Sequence, residues 1–89
     1  MAEGIVRYAV SAHARRQMRL RRISADVIRR VMLAPDQRFA DYGGREILQA
    51  RLSLADGQYL VRVFVDVERA LPEVVTVYRT SKIAKYWRP

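Results

Sequence analysis

Apolar positions recur at helical spacing in the first third of the chain and alternate with polar ones in the remainder. From 11 to about 22 the segment SAHARRQMRLRR is rich in helix formers, and Ser11 is placed to cap its first free backbone N–H groups. Ser24 is the matching cap of a second helix, in which Val27, Ile28, Val31 and Met32 form a stripe at i, i+1, i+4 and i+5. Pro35 ends that helix, because the residue before a proline is driven out of the helical region. Strand patterns then follow near 38–42, at 46–54, at 59–67 and at 74–80, separated by Gly43–Gly44, by ADGQ and by a looser loop ending at Pro72. Residues 81–87 read as a short terminal helix or an extended arm. The pattern predicts one α+β domain spanning 1–89: two N-terminal helices packed on one face of an antiparallel sheet of about four strands.

A register follows if Asp56 and Gly57 are the two turn residues of the second hairpin. Leu54 then faces Tyr59, Leu52 faces Val61, and Arg51 faces Arg62. Leu48, Ala50, Leu52 and Leu54 share the helix-covered face with Tyr59, Val61, Val63, Val65 and Val67, leaving the two arginines on an open face. Directly opposed like charges cost on the order of a few tenths of a kcal/mol when exposed, a sign that a bound phosphate would reverse. The plain alternative is that Asp66, Glu46 or water separates the two guanidinium groups.

Composition narrows the function. Eighty-nine residues, 51% of them hydrophobic, suffice for one core and no second domain. The net charge is +8 and the sequence pI about 10.8, carried by fifteen arginines against two lysines. Arginine binds phosphate with a planar fork and stacks on bases, so the excess points to RNA, DNA or an acidic protein partner, although a GC-rich genome also raises arginine throughout. Absence of cysteine excludes disulfides and thiolate chemistry, and a single histidine argues against a metal site. No cofactor motif occurs, and the N-terminus lacks a signal-like segment, so a cytoplasmic protein without cofactor or membrane partner is expected.

His13 has the only side chain whose ordinary pKa lies near neutrality, which makes it the candidate for proton transfer. The competing reading is a lone histidine packing at a helix start beside Gln17 and Leu20. The C-terminal run VVTVYRTSKIAKYWRP combines cations, hydroxyls and rings. Cleavage of RNA by its own 2′-hydroxyl needs a proton acceptor, a held phosphorus and stabilised negative charge. Arg62, Arg79 and Lys82 are candidates for the charge, Tyr78 and Tyr86 for positioning the RNA, and Arg51, Thr80, Ser81 and Lys85 for further contacts. Arg15, Arg16 and Arg19 add a cationic helix face. Asp36 and Asp41 flank a strand as ordinary surface carboxylates.

The S-x-H-A motif at 11–14, with Met18, Arg21 and Ile23 after it, and the terminal T-V-Y-R-T-S-K-I-x-K-Y-W together resemble a small bacterial domain family of unknown function, from about Tyr8 to Trp87, associated with the RelE/ParE-like toxin group. The resemblance implies a RelE-like fold and a toxin-like neighbourhood, in which catalytic Arg, Lys, Tyr or His residues sit on the open sheet face and the C-terminal segment. It maps onto His13, Tyr78, Arg79, Thr80, Ser81 and Lys82. Two positions depart from the pattern: Gln17 stands where a charged residue is expected, and Arg22 where a glycine commonly ends the first helix. An arginine in a left-handed cap costs roughly 1 kcal/mol relative to glycine, so a different turn is expected there.

The expectation is therefore a metal-independent endoribonuclease, or a toxin-like RNA-binding relative of one, with His13 as general base or acid. Its partners would be RNA, including ribosome-associated RNA, and an acidic antitoxin protein. The alternatives are a non-catalytic basic module holding nucleic acid or an acidic protein, and a toxin scaffold aimed at a protein such as a topoisomerase.

Overall fold

Two ten-residue strands joined by a tight turn form the centre of the molecule. The computed structural model describes residues 2–89, which fold in the order β1 (Ala9–Val10), α1 (Ala12–Arg21), α2 (Ala25–Leu33), β2 (Gln37–Ala40), β3 (Arg45–Leu54), β4 (Gly57–Asp66), β5 (Glu73–Thr80) and α3 (Ile83–Tyr86). The strands make one five-stranded sheet, ordered β1-β5-β4-β3-β2. The sheet is mixed, because β1 runs parallel to β5 while the other neighbours are antiparallel. That fifth strand departs from the four expected. Two residues carry no period, and β1 is fixed instead by Ala9 N–H donating to Pro72 O and Ser11 N–H to Val74 O.

Ala55 and Asp56 form the central turn, and Gly57 follows at φ +143°, a value that favours glycine. Leu54 therefore pairs with Gly57 and Leu52 with Tyr59, two residues away from the expected register. A two-residue displacement preserves every face, since side chains alternate with period two. It changes the partners: Arg51 lies opposite Leu60, and Arg62 opposite Gln49, so the predicted opposition of Arg51 and Arg62 does not occur. In β5 a bulge between the Thr76 and Val74 pairings lets Val74 and Val77, three apart, both reach the helix face, where each is fully buried.

Both serine caps form, with the Ser11 hydroxyl accepting from Ala14 N–H and the Ser24 hydroxyl from Val27 N–H. The stripe on α2 buries Ile28, Val31 and Met32 against Leu48, Ala50, Val61, Val63, Val65 and Val77. Each such aliphatic side chain contributes roughly 1.5–3 kcal/mol by leaving water. Helix α1 buries only Ala14 and works differently. It lies along the edge of β5 beyond the reach of β1, where the Gln17 side-chain oxygen accepts from Val77 N–H at 3.0 Å and Arg21 Nη1 donates to Val77 O at 2.8 Å. An amide supplies the acceptor that a basic side chain in place of Gln17 would lack. Gln17 thus has a structural task of sealing a sheet edge. At the N-terminus Gly4 lies so close to the end of α2 that a Cβ would collide with the Leu33 carbonyl.

Candidate nucleic-acid interface

Strand alternation decides which of the expected residues meet. On β5, Tyr78 pairs with Arg62 and Thr80 with Leu60, on the face opposite α2, whereas Arg79 pairs with Val61 on the α2 side. Arg62 and Arg79, expected to share the stabilisation of one phosphate, lie on opposite faces of the sheet. The face expected to be open is itself covered, because α3 and the residues after it fold back across it. Leu60 and Gln49 are fully buried there, and Ile47 nearly so.

A polar network holds this arm down. Gln49 Oε1 accepts from Arg62 Nε at 2.8 Å, and Gln49 Nε2 donates to Gln37 Oε1 at 2.7 Å and to Tyr86 O at 3.1 Å. Gln37 in turn brackets the Arg88 peptide, donating to its carbonyl and accepting from its N–H. Arg62, 8% exposed, also donates to the Tyr78 hydroxyl, and its guanidinium lies 4.6 Å from the Tyr86 ring centroid and within 6 Å of Phe64 and Tyr78. Among the described residues no carboxylate pairs with it. Its charge is stabilised by the neutral oxygens and the ring faces. Arg51 is likewise drawn to the arm, stacked 4.1 Å from the Trp87 ring centroid, while its backbone N–H donates to Asp36.

Arg79 is paired at the hairpin tip. Its Nη1 and Nη2 meet the two Asp56 carboxylate oxygens at 2.9 and 3.2 Å, and it lies over the Tyr59 ring. The Arg79 hydrogen bond holds the Asp56 carboxyl below the usual carboxylate range. A depressed folded value contributes stability above the unfolded pKa of about 3.9 and loses it as pH falls through the lower folded value, so the bridge opens only in acid. At neutral pH, Asp56→Asn should release Arg79 and tighten binding of any polyanion. An affinity unchanged or weakened in that variant would show that Arg79 plays no part in the interface.

Between the C-terminal end of α1, the end of β5 and α3 lies an open groove of about 600 Å³, lined by Leu20, Arg21, Arg22, Tyr78, Arg79, Thr80 and Tyr86. Cations, two rings and a hydroxyl converge there, and the exposed Ser81, Lys82 and Lys85 follow directly in the chain. Lys82 N–H is held by the Thr80 hydroxyl, and Lys85 Nζ lies over the Tyr86 ring. Arg15 and Arg19 line a separate depression with Val10, Met18 and Ile23, and Arg16 is exposed on α1. His13 stands exposed in the first turn of α1, eight residues before Arg21 and so about 12 Å along the axis from the groove end. The structure does not bring His13 to Tyr78, Arg79 or Lys82. Arg21 and Arg22, by contrast, enter the groove from the C-terminal end of α1, where the sequence marks Arg21 only as part of a motif and Arg22 only as an unusual helix end.

A family model described as Domain of unknown function (DUF4258) matches residues 10–79. The chain belongs to this family. The DUF4258 match takes in both long helices and strands β2 to β5 up to Arg79, including the Tyr78–Arg79 part of the terminal motif, and ends before α3 and the arm. The stretch is shorter at both ends than the one implied by the resemblance. No curated protein and no solved structure matches the chain. Among the described residues no helix is long and apolar enough to cross a membrane.

Proposed function

We propose that this DUF4258 protein binds single-stranded RNA in the groove between α1, β5 and α3. The observation that carries this reading is the convergence of Arg21 and Arg22 with the Tyr78 and Tyr86 rings and the Thr80 hydroxyl on one open surface. Guanidinium groups suit phosphates, and aromatic rings suit unstacked bases irrespective of sequence. Lys82 and Lys85 extend the same field along the strand's exit. An acidic partner protein that covers the groove and quenches its potential, together with a RelE-like relationship and ribosome-associated RNA as target, belongs to the same proposal.

A second reading, metal-independent cleavage, is favoured by one feature. The Tyr78 hydroxyl accepts a hydrogen bond from Arg62, and the Tyr78 side chain lines the groove. There it is the candidate general acid: as the ribose 2′-oxygen attacks the adjacent phosphorus and gives its proton to water, the P–O5′ bond breaks, the leaving 5′-oxygen takes the Tyr78 phenol proton, and a 2′,3′-cyclic phosphate and a 5′-hydroxyl end result, with solvent reprotonating Tyr78. Incubation with RNA under excess chelator separates the two. Retention without cleavage supports the binding protein. Cyclic-phosphate products that fall about 10²-fold or more in Tyr78→Phe, yet persist in His13→Ala, support the enzyme. Failure to retain RNA at low salt contradicts both.

A further inference from the structure

Arg22 is the one described residue other than glycine with a positive φ. Its φ of 54° and ψ of 51° lie in the left-handed region, where the side chain crowds the following carbonyl. The conformation is demanded by how α1 ends. Arg22 N–H bonds back to Arg19 O and Ile23 N–H to Met18 O, the two-bond closure of a Schellman motif, with Ile23 in the core and Met18 half-buried against it. Glycine is the usual residue at such a position because it has no Cβ to strain. Complementing the helix dipole does not explain an arginine here, since Arg19 and Arg21 already occupy the last turn of α1.

The surroundings of the side chain supply a reason. Arg22 lines the groove, and it also lines the neighbouring depression that contains Ser24, Leu54, Asp56 and Arg79, so it stands on the wall shared by the two. Of the three guanidinium groups in the groove, Arg79 is bound to Asp56 and Arg21 is hydrogen-bonded to Val77 O. Among the described residues Arg22 makes no side-chain hydrogen bond or ion pair. Beside it Leu20, 75% exposed, offers an apolar surface of the kind a base covers.

We infer that Arg22 is the principal phosphate contact of the groove, held in a strained left-handed cap at the expense of fold stability. The inference rests on the RNA-binding reading and adds to it the residue that carries the contact. It requires stability and affinity to move in opposite directions on one substitution. A residue serving only to close the helix would not produce that divergence.

The test uses full-length wild type, Arg22→Gly and Arg22→Lys in thermal melts and in anisotropy titrations with a labelled oligouridine. Arg22→Gly should melt roughly 4 °C or more above wild type, as expected when left-handed strain at one residue is relieved in a domain of this size. It should bind oligouridine about ten-fold more weakly, the usual loss of one charge-assisted contact, and its salt dependence should be shallower by about 0.7 in log–log slope. Arg22→Lys keeps both the strain and the charge, so its melt and its salt slope should stay with wild type. If wild type binds and Arg22→Gly binds equally well, or melts no higher, the inference fails while the groove remains. If wild type itself does not bind oligouridine, the RNA reading fails and takes the inference with it.

Discussion

Replacing Gln49 with alanine should lower stability by about 3 kcal/mol, equivalent to a fall in Tm of roughly 15 °C in a domain of this size. Gln49 is completely buried and uses its amide fully, accepting from Arg62 and donating to Gln37 and to the Tyr86 carbonyl. Alanine leaves the Arg62 Nε without an acceptor and the Tyr86 carbonyl without a donor, and it leaves Gln37 Oε1 with the Arg88 N–H alone. Each orphaned buried group costs roughly 1–3 kcal/mol, more when charged. Because a small domain is stable by only about 5–15 kcal/mol, the loss is a large share of the total. Gln49→Glu gives a graded comparison. It keeps an acceptor for Arg62 but turns a carboxylate oxygen toward Gln37 Oε1 and Tyr86 O, so its melt should fall between wild type and alanine. Thermal denaturation followed by circular dichroism reads both, and an alanine variant melting within about 2 °C of wild type would remove the network from the account.

RNA affinity should collapse as salt rises. With Arg21, Arg22, Lys82 and Lys85 each neutralising a phosphate, counterion release gives a log–log slope of about −2.8 on a single strand, and a fourfold increase in salt then weakens binding about 50-fold. Arg62 and Arg79 are left out of that sum because one lies under the arm and the other is paired with Asp56. A slope near zero would show that the contacts are not ionic. A slope much steeper than −4 would bring in the separate cationic face of Arg15, Arg16 and Arg19.

The elements that could be read from the sequence are those decided locally. Ser11 and Ser24 cap the helices three residues ahead of themselves, and the α2 stripe needs only its own period. The faces of β3 and β4 were also legible, because period-two alternation survives a register shift of two. The register itself was not, since Ala55-Asp56-Gly57 accepts the turn at either of two placements and only the backbone at Gly57 chooses between them. That choice gave Arg62 a buried glutamine opposite it in place of Arg51.

Gln49 shows why the arm was missed. A polar residue between Leu48 and Ala50 reads as an ordinary solvent-facing position, and nothing nearby announces that Tyr86 and Arg88 return to cover it. The cations of the groove were visible as charges, but not as free or engaged ones. Asp56 claims Arg79 across 23 positions of sequence, and the strand period alone sends Arg79 to the face opposite Tyr78. His13 was singled out by its titration range, a property with no spatial content, and the fold leaves it at the far end of α1. Arg22 stood out as an unusual residue for a helix end. The sequence suggested a different turn there, whereas the structure keeps the left-handed turn and accepts the strain.

The most direct test of the groove as an RNA site is a backbone amide NMR titration of the intact chain with oligouridine at low salt. The account predicts that the largest shift changes fall on Leu20 to Arg22, on Tyr78 to Lys82 and on Tyr86, while the first turn of α1 around His13 stays still. Changes confined to Arg15, Arg16 and Arg19, or no changes at all, would contradict it.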